Sequence, residues 1–328
     1  IMNKKVLGVL LLLLTALIWG TAFIAQKTSM DYIDPFTFGG TRTFIGVIAL
    51  LPLMIILDKN RRKKEMSVAG LSDERIKEIK DAPFFSKNEL IAGLFCGIAF
   101  FFATNVQQYG VSFTTVSKSG FITVLYIAFV PIFSVLIRKK VRPIMWLCVL
   151  LGVIGFFLLT AEGNLDLSNI GGYLSNWIAT LGLGDLLVLG CAALFGIHIM
   201  VVDNFVDAGD GLKISWIQFL VSATLSMVCA FIFDDINISA IIDAIIPILY
   251  AGVLSTGVGY TLQVICQKWV EPTVASLLMS LESVFAVLGA WVILDERLTL
   301  VQIIGCIVIF IAVIISNLPD KSEASLQG

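Results

Sequence analysis

Ten stretches of this chain are long and apolar enough to cross a lipid bilayer, and they account for most of its 328 residues. A helix that spans the hydrocarbon core needs about 20 predominantly apolar residues. The ten predicted spans are residues 5–27, 36–57, 89–110, 115–137, 143–160, 184–204, 212–233, 244–265, 273–294 and 299–316. Charged residues make up only 14% of the chain, which excludes a soluble protein of this length.

Lipid dictates the form of these spans. Backbone N–H and C=O groups find no water in the bilayer, so unbroken apolar runs of this length must be helices. The runs also lack the alternation expected of ten-residue barrel strands. The sequence therefore predicts an all-α integral membrane protein with ten transmembrane helices.

Lysine and arginine are unevenly distributed between the two sides of these spans. With the amino terminus in the cytoplasm, all but four of the 22 Lys and Arg lie on the cytoplasmic side. The exceptions are Lys27, Arg42, Lys118 and Arg297. The positive-inside rule therefore predicts a multi-pass protein of the bacterial inner (plasma) membrane with both termini cytoplasmic. The acidic connection 203–213 makes the signal weaker in the second half.

Short motifs recur between the two halves of the chain. The AxxWG pattern at 16–20 in span one returns as AxxFG at 192–196 in span six, and 130–134 in span four aligns with 282–286 in span nine. Five spans per copy is an odd number, so the second copy must be inserted upside down. Inverted repeats around a central site are the usual architecture of alternating-access carriers.

The predicted organisation follows from this duplication. It comprises a first five-helix repeat at 2–160 with a cytoplasmic loop at 58–88, an extracytoplasmic linker at 161–183, a second, inverted repeat at 184–317, and a cytoplasmic tail at 318–328. Ser72 is expected to cap a short helix inside the basic loop. A solvated topogenic loop and a partner-binding loop are both open interpretations.

Five segments carry a resemblance to a known family: 16–23 (ALIWGTAF), 118–126 (KSGFITVLY), 255–263 (STGVGYTLQ), 281–285 (LESVF) and 295–298 (DERL). In order and spacing they resemble the drug/metabolite transporter superfamily, specifically EamA-type carriers with ten spans in two five-helix repeats. The likeness covers nearly the whole chain. It implies a secondary transporter, most often an exporter of amino acids, other metabolites or toxic compounds. The first repeat departs from the pattern, with 139–141 (KKV) where Glu-Arg-Leu is expected.

Glu282 is the sharpest single candidate for a functional residue. It lies ten residues into span nine, about 14 Å along a helix that rises 1.5 Å per residue, and therefore near mid-membrane. An ionised carboxylate at that depth is costly and usually faces a cavity or a partner. Two interpretations stay open: a substrate or coupling site, and a hydrogen-bonded Glu that ties span nine to a neighbouring helix.

Polar side chains cluster in spans three and eight, with Asn105 and Gln108 toward the outer end of one and Tyr260 and Gln263 toward the inner end of the other. Alignment of the repeats pairs Asn105 with Gln263, so inversion places the patches at opposite mouths of one pathway. Each cluster shares a helical face. Interhelical hydrogen bonding is the alternative interpretation.

Three cations and the single histidine complete the charged candidates. Lys118, in the first turn of span four, is predicted either to pair with a substrate carboxylate or to snorkel to lipid headgroups. Lys27 and Arg42 are expected to snorkel or to anchor the outer ends of their helices. His198 is a candidate for proton coupling, with packing as the alternative.

Aromatic residues are candidates for the pocket wall. Trp19, Phe23 and Tyr126 are predicted, with Tyr260, to contact an apolar or aromatic solute, although aromatics also pack routinely in membrane bundles.

The sequence shows no phosphate-binding Gly-Lys-Ser/Thr loop, no HExxH, no Gly-x-Ser-x-Gly and no Cys/His cluster, so neither an enzyme, a cofactor nor a metal site is predicted. We predict an alternating-access carrier that moves small organic metabolites outward, with membrane lipids as its surroundings and no nucleic-acid partner. A flippase for a lipid or lipid-linked sugar, a nucleotide-sugar-type exchanger and a membrane scaffold are the alternatives. The solute, proton coupling and oligomeric state are not determined by the sequence.

Overall fold

The computed structural model describes residues 4–67, 72–138, 141–160, 178, 181–205, 207–266, 269–270 and 278–317, and all regular structure in these ranges is helical. The helices are α1 Lys4–Ser29, α2 Pro35–Met66, α3 Asp73–Asp81, α4 Lys87–Phe113, α5 Val116–Thr123, α6 Tyr126–Leu136, α7 Ile144–Thr160, α8 Leu183–Asn204, α9 Gly211–Phe233, α10 Ile238–Asp243, α11 Ile245–Leu249, a π-helix Tyr250–Gly259, α12 Tyr260–Cys266, α13 Glu282–Leu294 and α14 Leu300–Ser316.

Seven helical segments in the described ranges are long and apolar enough to cross a membrane. Three shorter apolar helices, Ile144–Thr160, Leu278–Leu294 and Leu300–Ser316, lie where the remaining predicted spans fall. Most of the predicted linker 161–183, the tail 318–328, the KK pair at 139–140 and the start of span nine at 273–277 lie outside the described residues.

Three predicted spans differ from the helices that form. Helix α2 continues past residue 57 to Met66, because Asp58 pairs with Arg61 and Arg62 one turn further on. Span four is divided into α5 and α6 by a turn at 124–125, and span eight is divided into α11, the π-helix and α12. The predicted capped helix in the basic loop is confirmed as α3, where the Ser72 side chain accepts a hydrogen bond from the Arg75 N–H.

The long helices pack in pairs: α4 against α8 and α9, α2 against α9, α7 against α14, and α1 against α13. Helices α1 and α13 pack closely at Gly20. A Cβ atom at this position would lie 2.4 Å from the Glu282 carbonyl oxygen and 2.6 Å from the Phe285 Cβ. Only glycine allows this crossing, which brings Trp19 and Glu282 to one depth of the bundle.

One buried carboxylate ties the ends of α2 and α9 together. Asp58 is 4% exposed and accepts from Lys213 Nζ at 2.6 Å, from Arg62 at 2.7 Å and from Arg61 at 2.9 Å. Lys213 also donates to the Phe84 carbonyl, so the start of α4 joins the cluster. Arg62 holds the α3 segment by donating to the carbonyl oxygens of Ile79, Ala82 and Pro83.

We expect Gly20→Ala to destabilise the protein, because the added methyl group forces α1 and α13 apart. Overpacking of this kind costs about 1–3 kcal/mol. Thermal unfolding of the purified protein in detergent measures the effect. The control is Gly190→Ala in α8, where a new Cβ would meet nothing within 4 Å. Equal melting temperatures for the two variants would contradict the proposed contact.

Candidate functional site

A cavity of about 270 Å³ opens between the helices. Helices α1, α2, α4, α8 and α12, the π-helix and the residues around the starts of α6 and α13 all contribute to its wall. The lining residues are Trp19, Ala22, Phe23, Gln26, Arg42, Thr43, Phe100, Thr104, Gln107, Thr123, Tyr126, Phe195, His198, Ile199, Ser255, Thr256, Tyr260, Gln263, Met279 and Glu282.

The structure brings together most of the site residues that the sequence predicts. Trp19, Phe23, Tyr126, His198, Tyr260, Gln263 and Glu282 all line the cavity. The other three predicted residues, Asn105, Gln108 and Lys118, lie elsewhere.

Asn105 and Gln108 are used in helix contacts. The Asn105 amide donates to the Phe101 carbonyl and to the Ser226 hydroxyl, both at 2.8 Å, which ties α4 to α9. The Gln108 amide donates to the Gln26 carbonyl of α1 at 3.0 Å. Gln107 on the adjoining face lines the cavity and donates to the Thr123 hydroxyl at 3.2 Å. The interhelical alternative therefore describes the contacts of Asn105 and Gln108.

Lys118 forms an ion pair away from the cavity. Its Nζ lies 3.1 Å from Asp185 at the start of α8, and the two side chains are 12% and 4% exposed. The Thr114 hydroxyl donates to the other Asp185 oxygen. Lys118 thus joins α5 to α8, whereas the sequence predicted that it would contact either a substrate carboxylate or the lipid headgroups.

Aromatic rings form one wall of the cavity. Trp19 and Tyr260 lie with ring centroids 5.0 Å apart, and Trp19 Nε1 donates to the Ser255 carbonyl of the π-helix at 3.0 Å. Phe100 contacts both Tyr260 and His198, with centroids 6.5 Å and 5.4 Å away. The hydrogen bond fixes the indole, so the wall is preorganised for an apolar solute surface.

His198 already has a hydrogen-bond partner within the protein. Its Nε2 lies 2.8 Å from the Gln218 side-chain oxygen of α9. This contact leaves Nδ1 as the nitrogen available to a solute or a proton.

Two charged side chains of the cavity have no partner among the described residues. Neither the Arg42 guanidinium nor the Glu282 carboxyl forms an ion pair or a hydrogen bond there. Arg42 is 7% exposed, lies over the Phe38 ring at 5.3 Å, and has a buried Nε with no acceptor.

Arg42 is the main residue that the sequence analysis missed. It was expected to snorkel to the lipid headgroups or to anchor the outer end of its helix, but it lines the cavity instead. Its position seven residues into a predicted span was the available signal, since a cation at that depth rarely reaches headgroups. Lys27 ties the end of α1 to the end of α4, because its Nζ donates to the carbonyl oxygens of Val111, Ser112 and Thr114.

Hydrogen bonds of charged side chains join the helix ends at the end of the bundle that carries Lys27, which we call the Lys27 end. There the Glu296 carboxylate accepts from the Val116 and Ser117 N–H groups at 2.8 and 3.0 Å and from the Ser117 hydroxyl at 2.8 Å. These bonds cap α5 with a residue from the loop after α13. Phe23, Ile24, Val111, Val116 and Ala286 form a buried apolar cluster, in which Val116 belongs to the capped turn and Phe23 lines the cavity.

The chemistry of the cavity is that of a binding site. No group of His, Cys, Asp and Glu among the described residues has an arrangement that could hold a metal ion. What the cavity offers is aromatic surface, uncharged amides and hydroxyls, one imidazole, one guanidinium and one carboxyl. Such groups hold an organic solute without reacting with it.

Comparison with known proteins identifies the family. The profile of the EamA-like transporter family matches residues 6–161 and 182–318. The chain belongs to this family. It is therefore a multi-pass membrane transporter for small molecules, and this class is not enzymatic, as the sequence predicted.

Relatives agree with this assignment. An uncharacterized transporter of Archaeoglobus fulgidus is 30% identical over 96% of this chain and 87% of its own length. The uncharacterized transporter YoaV of Bacillus subtilis is 24% identical, with 94% of each chain covered. One solved crystal structure of a protein aligns with a TM-score of 0.57 at 17% identity, over 95% of this chain and 97% of the other, and so shares the fold.

We expect Lys118→Met to destabilise the protein rather than simply to weaken solute binding. The substitution leaves Asp185 buried and unpaired, and breaking such a pair costs about 3–5 kcal/mol. Thermal unfolding in detergent reports the loss. The double variant Lys118→Met/Asp185→Leu is the control, and we expect it to recover most of the stability. If the single variant melts like the wild type, the ion pair does not stabilise the fold.

Proposed function

We propose that this protein is a secondary carrier that moves small organic metabolites, amino acids or related compounds, outward across the bacterial inner membrane by alternating access. The observation that carries the proposal is the central cavity, whose wall draws on both halves of the chain. Its polar atoms include the Gln26 Oε1 and Arg42 Nε, both buried without partners among the described residues. A solute that enters the cavity supplies the missing partners.

Reciprocal helix packing supports two inverted five-helix repeats, at 2–160 and 184–317. Exchange of the two repeats turns the α1–α13 contact into the α8–α6 contact, and both contacts are present. Each is made at a glycine of the repeated motif: Gly20 lies against Phe285, and a Cβ at Gly196 would lie 3.2 Å from Phe129 and 3.4 Å from Phe133. The same exchange maps the α2–α9 and α7–α14 contacts onto themselves.

The distribution of charge supports an extracellular Lys27 end and cytoplasmic termini. The basic α3 segment and the Asp58 cluster lie together at the opposite end, and Lys and Arg favour the cytoplasm. In this orientation the capped Lys27 end is an outer gate in its closed state. The π-helix, Pro131 and Pro247 are the hinges about which one repeat rocks against the other.

Counterflow in proteoliposomes tests the proposal directly. Solutes are chosen by comparing metabolites secreted by cells that lack and cells that overproduce the protein. We expect preloaded unlabelled solute to accelerate uptake of the same labelled solute. Protein-free vesicles are the control. Failure of every secreted candidate to exchange, in vesicles shown to contain folded protein, would sink the carrier hypothesis.

We expect Glu282→Gln to abolish this exchange while the variant stays folded and monodisperse in detergent. Glu282 is the one carboxyl that lines the cavity among the described residues, and glutamine keeps its size but removes its charge. Glu74→Gln in the exposed α3 segment is the matched control, with wild-type flux expected. Wild-type flux in Glu282→Gln would reject a role for this carboxyl in transport or proton coupling.

We expect Glu296→Ala to open the Lys27 end. A charge-assisted hydrogen bond contributes about 1.5–3 kcal/mol, so loss of this cap should raise the outward-open population about tenfold or more. The reporter is Ala22→Cys in the cavity wall, labelled from outside by a membrane-impermeant maleimide. Labelling of the chain without Ala22→Cys corrects for its native cysteines. Equal labelling rates with and without Glu296→Ala would exclude a gating role.

A lateral groove favours lipid movement as a second candidate. An apolar space of about 600 Å³ opens between α4, α6 and α8, lined mainly by Phe95, Phe133, Leu136, Ile197 and Phe205. Dithionite quenching of a fluorescent lipid in the same proteoliposomes measures transbilayer movement. Quenching beyond the protein-free level, together with absent solute counterflow, would favour the flippase.

A further inference from the structure

Two charged side chains of the cavity wall differ from the other buried charges of this bundle, because they form no ion pair among the described residues. Elsewhere in the described residues the deeply buried charges have partners: Asp58 with Lys213, and Lys118 with Asp185. Buried Arg42 and half-buried Glu282, which line the cavity, have no such partner in the part of the chain that the structure describes. Since an unpaired charge inside a membrane protein is costly, a wall that retains two of opposite sign is built to be completed by a bound molecule.

The guanidinium of Arg42 is arranged to receive a carboxylate. Its buried Nε has no acceptor among the described residues, and its guanidinium carbon lies 5.3 Å from the centroid of the Phe38 ring. A guanidinium edge presents two parallel N–H groups, which match the two oxygens of a carboxylate. The contact with Phe38 positions the guanidinium but does not occupy the N–H groups of that edge.

Glu282 provides the complementary pole. Its carboxyl lines the same cavity as Arg42, and among the described residues the two side chains form no ion pair with each other. Between and around them are Trp19, Phe23, Phe100 and Phe195, which offer apolar surface. A cavity of about 270 Å³ admits only a small molecule.

We propose that Arg42 binds the carboxylate of the transported solute and that Glu282 binds its ammonium group, so that the cavity selects zwitterions with an apolar body. This proposal rests on the carrier function proposed above and assigns the substrate class and orientation within it. The carboxylate lies toward α2, and the ammonium group lies toward α13.

Three matched series of probes test the proposal on the purified full-length protein. The first is L-phenylalanine, 3-phenylpropionate and 2-phenylethylamine, which share a body and differ in their charged groups. The second is L-leucine, 4-methylpentanoate and 3-methylbutylamine, and the third is L-alanine, propionate and ethylamine. Binding is followed by quenching of tryptophan fluorescence and confirmed by calorimetry. In at least one series we expect the zwitterion to bind about tenfold or more tightly than either single-charge analogue.

The variants then separate the two poles. We expect Arg42→Gln to weaken binding of the zwitterion and the carboxylate at least tenfold and to leave the amine unchanged. Glu282→Gln should do the opposite, weakening the zwitterion and the amine but not the carboxylate. Arg42→Lys keeps the charge but loses the paired N–H groups of the guanidinium, so its affinity for carboxylates should be intermediate. If Arg42→Gln does not fold, Arg42→Lys replaces it in the test. Arg297→Gln, at an exposed arginine, is the control.

Three outcomes would overturn the proposal: no zwitterion of the three series binds the wild type, Arg42→Gln and Arg42→Lys both bind carboxylates normally, or the variants weaken all probes equally. Counterflow distinguishes this failure from failure of the carrier function. Wild-type exchange of a solute without a carboxylate would keep the carrier and remove the role of Arg42.

Discussion

Lipid cannot hydrogen-bond, and this constraint governs where charge is found in the protein. At the two ends of the bundle, carboxylates are surrounded by donors: Asp58 collects three cationic side chains, and Glu296 caps the start of α5. These contacts fix the helix ends in register. The middle of the bundle is different, because Arg42 and Glu282 have no partner among the described residues. Satisfied ends around an unsatisfied centre are what a carrier requires, since a solute must be gripped at mid-membrane and nowhere else.

The Lys27 end and the cavity are connected through the same helices. Helix α1 supplies Trp19 and Phe23 to the cavity, and two turns later Lys27 to the carbonyl oxygens at the end of α4. A solute that displaced Trp19 would therefore act on a helix whose far end is part of the closure. Helix packing that is tight at Gly20 transmits such a displacement to α13 and so to the loop that carries Glu296.

The sequence was informative where a residue type conflicts with its surroundings and less so where packing decides. A carboxylate at mid-membrane and aromatics in a repeated motif both pointed to the cavity, and Glu282, Trp19 and Tyr260 line it. Asn105 and Gln107 show the limit, because a polar cluster in a helix does not reveal which member faces a neighbour: Asn105 bonds to α9, whereas Gln107 lines the cavity. Arg42 was misassigned because charge counting places it outside, although its depth matches that of the cavity. The turn within span four and the extension of α2 depend on contacts that no periodicity encodes.

The π-helix at Tyr250–Gly259 has a consequence for which side chains a solute meets. Each residue of a helix advances the chain by about 100° around the axis. A π-helix has a wider turn, so it changes the angular position of the residues that follow it, including Tyr260 and Gln263. Conversion of one π turn to an α turn would therefore rotate both side chains away from their present direction. The ten residues of the π-helix therefore determine which way Tyr260 and Gln263 face in the cavity.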